Sequence, residues 1–205
     1  GPDMAGDYLD DDIAIGFRRL SIIDLSIAGA QPMTNTLEDS SVVVVCNGEI
    51  FNFKEMRAEL IENGHKFASE ADTEVLLHGY EEYGETLTDR LRGMFAFVIW
   101  DKKQRRLFGA RDFFGIKPFY YYKTADGALL FASEIKCFLD HPGFVKRVNE
   151  KALLPYMTFQ YPVGEETFFK DVFVLPHANR FSYDIDGGEM KIERYWDVNF
   201  NEKHI

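Results

Sequence analysis

The chain has 205 residues, 46% of them hydrophobic and 15% aromatic, which is enough for one sizeable core in a single domain. Its formal net charge of -11 argues against non-specific nucleic-acid binding, which needs clustered Lys and Arg. No apolar run is long enough for a bilayer, no signal-peptide pattern opens the chain, and Cys46 and Cys137 have no CxxC or metal-ligand partner. The expectation is therefore a cytoplasmic protein with two reduced core thiols and no metal, no membrane and no nucleic acid.

The acidic run from Asp7 to Asp12 reads as a solvated turn. Ile13 to Phe17 alternates weakly and predicts a strand, Leu20 to Leu25 is apolar, and Gly29 to Met33 predicts a loop around Pro32. Val42 to Cys46 is a continuous apolar run, which predicts a strand buried on both faces. Asn52 and Glu55 have the spacing of a capping box. Met56, Leu60 and Ile61 form one helical stripe, and Gly64 stands where a helix stops. Ser69 or Asp72 is placed to cap a second helix through Val75, Leu76 and Tyr80, ending near Gly84, and a short third helix covers Thr86 to Leu91.

From Met94 the period changes. The segment MFAFVIWDKKQRRLFGARD reads as strand, polar turn, strand, and PFYYYKTADGALLFAS repeats the arrangement with Asp126-Gly127 as its hairpin turn. Ser133 or Glu134 begins a short helix to about Leu139, and Asn149 caps another through Leu153 and Tyr156. The tail reads as strands again, with a turn at Asp186 to Gly188. Hairpins with helices collected between them predict an α+β layered domain with antiparallel sheets. GxGxxG and GxxxxGK loops are absent from the sequence.

The tripeptide Asn47-Gly48-Glu49 follows the Val42 to Cys46 run. Its plainer reading is an Asn-Gly turn into a helix, with Glu49 as a favourable first-turn charge. Its chemical reading is a carboxamide and a bare backbone N–H able to hold an oxyanion, beside a carboxylate able to hold a cation. Arg18-Arg19, between apolar segments, suits a fixed carboxylate. Asp72 reads first as a helix cap. One Arg and two acids match the two ends of a zwitterionic amino acid, and the amide with the N–H suits a carbonyl that becomes tetrahedral.

The segments GFRRLSIIDLSIAGAQPM, CNGEIFNF, ASEADTEVLLHGYEEYG, LRGMFAFVIWD, LFGARDFFGIKPFYYY and LFASEIK resemble, in order and over essentially the whole chain, the glutaminase domain of glutamine-hydrolysing asparagine synthetases. That domain is a class II glutamine amidotransferase of the N-terminal-nucleophile hydrolase superfamily. The resemblance implies a four-layer αββα sandwich with two antiparallel sheets. It also implies L-glutamine as substrate. Arg19 would hold the glutamine α-carboxylate, with Leu20, Ser21, Ile22 and Ile23 lining the pocket. Asn47 and Gly48 would form the oxyanion hole, and Glu49 and Asp72 would hold the α-ammonium. It implies a C-terminal synthetase domain as partner in the same chain, with ATP and Mg²⁺ in that domain and no cofactor here. Homodimerisation stays open.

The nucleophile in such domains is a cysteine at the mature N-terminus, with its own α-amine as base. This chain starts Gly1-Pro2-Asp3, which matches the end of the family's Arg-Gly-Pro-Asp segment, downstream of that cysteine. A Gly-Pro start is also what tag removal leaves. The expectation is a domain over residues 1–205 without its nucleophile, its first strand or the synthetase domain, and hence inactive alone. Phe17 stands where the family usually has His, and Phe51 where Tyr is common. Two rival readings remain: a non-catalytic scaffold domain of a synthetase-like enzyme, and another class II amidotransferase.

Overall fold

The computed structural model describes residues 3–20, 23–35, 41–161 and 164–200. The first two strands, β1 (Met4–Leu9) and β2 (Ala14–Arg19), form an antiparallel hairpin. Asp10 closes its turn, accepting the Asp12 and Ile13 N–H groups at 2.9 Å, and its second oxygen takes the Trp100 indole N–H at 2.9 Å. The acidic run is thus only in part the expected solvated turn. Asp7 lies within β1, and Asp10 is tied to a buried tryptophan of the core.

The main sheet has six strands in the order β11-β10-β6-β5-β4-β3, all antiparallel. Its members are β3 (Met33–Thr34), β4 (Val42–Ile50), β5 (Gly93–Asp101), β6 (Arg106–Arg111), β10 (Asn179–Asp184) and β11 (Glu189–Arg194). A second layer holds the β1–β2 hairpin and a sheet of order β8-β7-β9, from β7 (Tyr120–Lys123), β8 (Leu129–Ala132) and β9 (Val172–Val174). Among the described residues this layer is made of two antiparallel pieces.

Alternation along the strands separates two cores. Val42, Val44, Cys46, Phe95, Phe97 and Ile99 face three helices: α1 (Phe53–Glu62), α2 (Glu74–Tyr83) and α3 (Leu87–Arg90). Val43, Val45, Ala96, Val98 and Trp100 face the second layer, against Ile15, Phe119 and Phe131. Outside that layer, Phe138 of a 3-10 turn (Ile135–Phe138) packs on Tyr122 and Val172. The last helix, α4 (Glu150–Phe159), is capped as expected by Asn149, whose side chain accepts the Lys151 N–H at 3.2 Å.

Four expectations need correction. The buried strand does not end at Cys46, and there is no Asn-Gly turn: β4 runs through Asn47, Gly48 and Glu49 to Ile50, paired with Gly93 to Ala96. Asn52 does not form a capping box. Its amide instead donates to the Arg90 carbonyl at 3.0 Å and accepts the Arg92 N–H at 2.8 Å, which ties the start of α1 to the end of α3. Neither Ser69 nor Asp72 is the cap residue of α2. Thr73 precedes that helix, and Glu74 in its first turn reaches back to the Ala68 and Ser69 N–H groups at 2.6 and 2.8 Å. Finally, Cys137 is exposed on the 3-10 turn, because its neighbour Phe138 takes the inward position.

Candidate functional site

A cavity of about 230 Å³ opens where the end of β2, the far half of β4 and the segment before α2 converge. Arg19, Asn47, Gly48, Glu49 and Asp72 all line it, as do Leu20 and Ile23. Ser21 and Ile22 lie outside the described residues. Five side chains or backbone groups chosen from scattered sequence positions thus share one cavity.

The edge of β4 explains how backbone donors reach it. N–H groups of successive residues in a strand point to alternate sides. Cys46 donates to Gln31 Oε1 at 2.7 Å, and Ile50 donates to Asp72 Oδ2 at 2.8 Å, both on the side away from β5. The Gly48 N–H lies between them on that same edge, where β3 pairs no further than Val44. Gly48 cannot be another residue without displacing β5: its φ is +145°, and a Cβ there would stand 2.0 Å from the Met94 carbonyl oxygen. The side chain of Asn47 points to the opposite face from Cys46, and its amide donates to Ser133 Oγ at 3.2 Å. A carboxamide has two N–H donors, so a second remains for a ligand.

Arg19 is buried, with its guanidinium fixed by two backbone carbonyls. It donates to Ser26 O at 2.8 Å and to Asp24 O. Gly29 makes room for it, since a Cβ there would stand 2.5 Å from Nη2. A guanidinium carries five N–H groups, so these bonds leave donors for a bound anion. Two acids, Glu49 and Asp72, line the same cavity. Burial pushes the Asp72 carboxyl up against the opposing pull of the Ile50 N–H, and the Glu49 charge pushes it up further. An ammonium between Glu49 and Asp72 would offset both effects.

Asp24, Gly29, Gln31, Lys117 and Ser133 were not singled out as site residues from the sequence, although all five lie in the segments that carry the resemblance. Lys117 reaches the cavity on a loop built by its neighbours. Asp112, fully buried, accepts the Phe95, Phe114, Ile116 and Lys117 N–H groups at 2.9 to 3.2 Å. Arg111 donates to the Gly115 and Lys117 carbonyls at 2.7 and 2.6 Å. Neither thiol is suited to attack a substrate here. Cys46 forms part of the cavity wall, but its side chain packs in the core, where burial pushes the thiol far up. Cys137 does not line the cavity.

The layered antiparallel fold thus carries a cavity with donors able to hold one anion and acids able to hold one cation. The glutamine phosphoribosylpyrophosphate amidotransferase from B. subtilis has the same fold, with a TM-score of 0.62 over 89% of this chain and 35% of that one, at 20% sequence identity. The chain belongs to the family of glutamine amidotransferase domains, whose pattern matches residues 1–196. It is 38% identical over 205 residues to asparagine synthetase [glutamine-hydrolyzing] 3 of Bacillus subtilis (strain 168). To asparagine synthetase [glutamine-hydrolyzing] 1 of the same organism it is 40% identical over 200 residues. It covers 100% and 98% of itself in these matches, but spans only about a third of the relatives' length, 33% and 31%.

Proposed function

We propose that this chain is the glutamine-hydrolysing domain of a longer asparagine synthetase, supplying ammonia for the ATP-dependent conversion of aspartate to asparagine. The observation that carries the reading is the convergence of Arg19, Asn47, Gly48, Glu49 and Asp72 on one cavity. Glutamine lies with its α-carboxylate on Arg19 and its α-ammonium between Glu49 and Asp72. Its side-chain carbonyl then meets the Gly48 N–H and the Asn47 amide. A cysteine thiolate, activated by its own α-amine, attacks that carbonyl. The two donors hold the tetrahedral oxyanion, each worth about 3 kcal/mol. Ammonia leaves, and water hydrolyses the γ-glutamyl thioester to glutamate and free thiol. ATP and Mg²⁺ act in a separate synthetase domain. The 205 residues alone do not hydrolyse glutamine, because neither of their thiols combines access to the cavity with a free amine.

The test uses the longer enzyme with Arg19→Ala. Truncating one partner of a buried charge pair costs about 2 kcal/mol or more, so KM for glutamine should rise by roughly 30-fold or more. Asparagine formation from free ammonia, which bypasses the cavity, should be kept. Equal loss of both activities would assign Arg19 a purely structural role and overturn the reading.

A further inference from the structure

Against the expectation of no metal, the geometry points to a second site, which we propose binds a divalent cation of the zinc class through His65, His78 and Glu81. None of the three lines the cavity described above. His78 and Glu81 lie one turn apart on α2, and His65 stands in the connection from α1. One donor atom from each lies within 4.8 Å of the other two.

The arrangement is more specific than a cluster of charges. Glu81 Oε2 sits 2.9 Å from His78 Nδ1 and 3.5 Å from His65 Nδ1. Zinc bonds of 2.0 to 2.2 Å in a tetrahedron set ligand atoms about 3.3 Å apart, between these two values. Each imidazole also carries a carboxylate on its outer nitrogen. His65 Nε2 is 3.2 Å from Glu82 Oε2, and His78 Nε2 is 3.6 Å from Glu74 Oε1. Ligating histidines characteristically give that outer N–H to a carboxylate, which fixes the ring and leaves the inner nitrogen bare for the metal. Glu81 is itself steadied by the Asn35 amide at 3.2 Å.

His78 is the most enclosed of the three. Its side chain is 1% exposed, and its Nε2 is a buried polar atom without a hydrogen-bond partner. An ion on Nδ1 would fix the tautomer that puts a proton on Nε2 toward Glu74. The Glu81 side chain is 20% exposed, so the cluster meets solvent at that carboxylate. Two imidazoles and one carboxylate suit zinc and its borderline neighbours. Magnesium and calcium prefer oxygen alone. The three carboxylates Glu74, Glu81 and Glu82 offset the added charge.

The experiment is a Co²⁺ titration of the tag-free 205-residue chain, followed in the visible region, with Zn²⁺ and Mg²⁺ as competitors. The expected result is saturation at one Co²⁺ per chain with the intense bands of a tetrahedral site, erased by Zn²⁺ and untouched by Mg²⁺. His65→Gln should abolish the bands. Glu82→Gln, which removes only the outer carboxylate of a partly exposed pair, should weaken binding about 10- to 100-fold while thermal unfolding in chelator stays near that of the parent. Lack of tetrahedral bands at saturating Co²⁺, or bands that survive in His65→Gln, would overturn the proposal and leave the cluster a network of histidine–glutamate ion pairs.

Discussion

Replacing Asp72 with Asn separates binding from stability at one position. Asp72 is buried, 7% exposed, and takes the Ile50 N–H at 2.8 Å. Asn keeps one acceptor oxygen and nearly the same shape, removes the charge, and turns the other oxygen into an N–H donor. A hydrogen bond to a charged group contributes about 1.5 to 3 kcal/mol, so KM for glutamine in the longer enzyme should rise roughly 10- to 150-fold. Stability should move the other way. The folded state raises this carboxyl above its ordinary value, chiefly through burial. A raised group contributes stability that is fully present below its unfolded pKa of about 3.9 and is lost as pH rises through the folded value. At neutral pH the charged form is therefore a cost, and Asn removes it. Thermal unfolding of the 205-residue chain from pH 4 to 8 should show Asp72→Asn at least as stable as the parent at pH 7. That advantage should shrink as the pH falls toward 4. A variant less stable at pH 7, or one with unchanged KM, would refute the assignment of Asp72 as a buried charge kept for the substrate ammonium.

The layers were legible because burial writes a period into the sequence. Val42 to Cys46 and Met94 to Trp100 are apolar at nearly every position, since β4 and β5 are covered by helices on one face and by sheet on the other. The hairpin turn at Gly127 was legible for a local reason, a φ of +95° that favours glycine. The continuation of β4 through Asn47-Gly48-Glu49 was not. Asn-Gly is a strong turn signal, and only the approach of the Met94 carbonyl shows that this glycine serves strand packing. The strand β1 was hidden because its exposed residues alternate with half-buried ones, and because Gly6 and Asp7 within it are poor strand formers. The site showed a similar split. The groups assigned to substrate have chemistry that can be read from residue type. Gly29, Gln31 and Ser133 act through position alone, and their partners are distant in sequence: Gln31 bonds Cys46 and Thr73, and Ser133 bonds Asn47.

Asn47→Asp in the longer enzyme should cut glutaminase kcat about 10²-fold or more, since it replaces a donor with a charge beside a developing oxyanion, and unfolding temperature should stay near the parent's. An unchanged kcat would mean that Asn47 only positions Ser133. Gly48→Ala should cost about 3 kcal/mol or more, a drop in Tm of roughly 6 to 12 °C, because the added Cβ meets backbone that cannot yield without parting β4 from β5. A shift within two or three degrees would show that the β4–β5 spacing is softer than the ladder implies. Gln31 offers the remaining test, because it bridges two walls of the cavity. Its Oε1 takes the Cys46 N–H at 2.7 Å and its Nε2 reaches Thr73 Oγ1 at 3.2 Å, so one side chain spaces the β4 edge from the residue beside Asp72. Gln31→Leu strands the Cys46 N–H, at a cost of about 1 to 3 kcal/mol, and frees that spacing. Gln31→Glu keeps the acceptor, and a threonine hydroxyl can turn to donate to it. If Gln31 positions the site, Gln31→Leu should raise KM for glutamine and lower kcat together, Gln31→Glu should restore most of the loss, and ammonia-dependent synthesis should hold in both. Equal effects of Leu and Glu on glutamine kinetics would show that the spacing is set elsewhere.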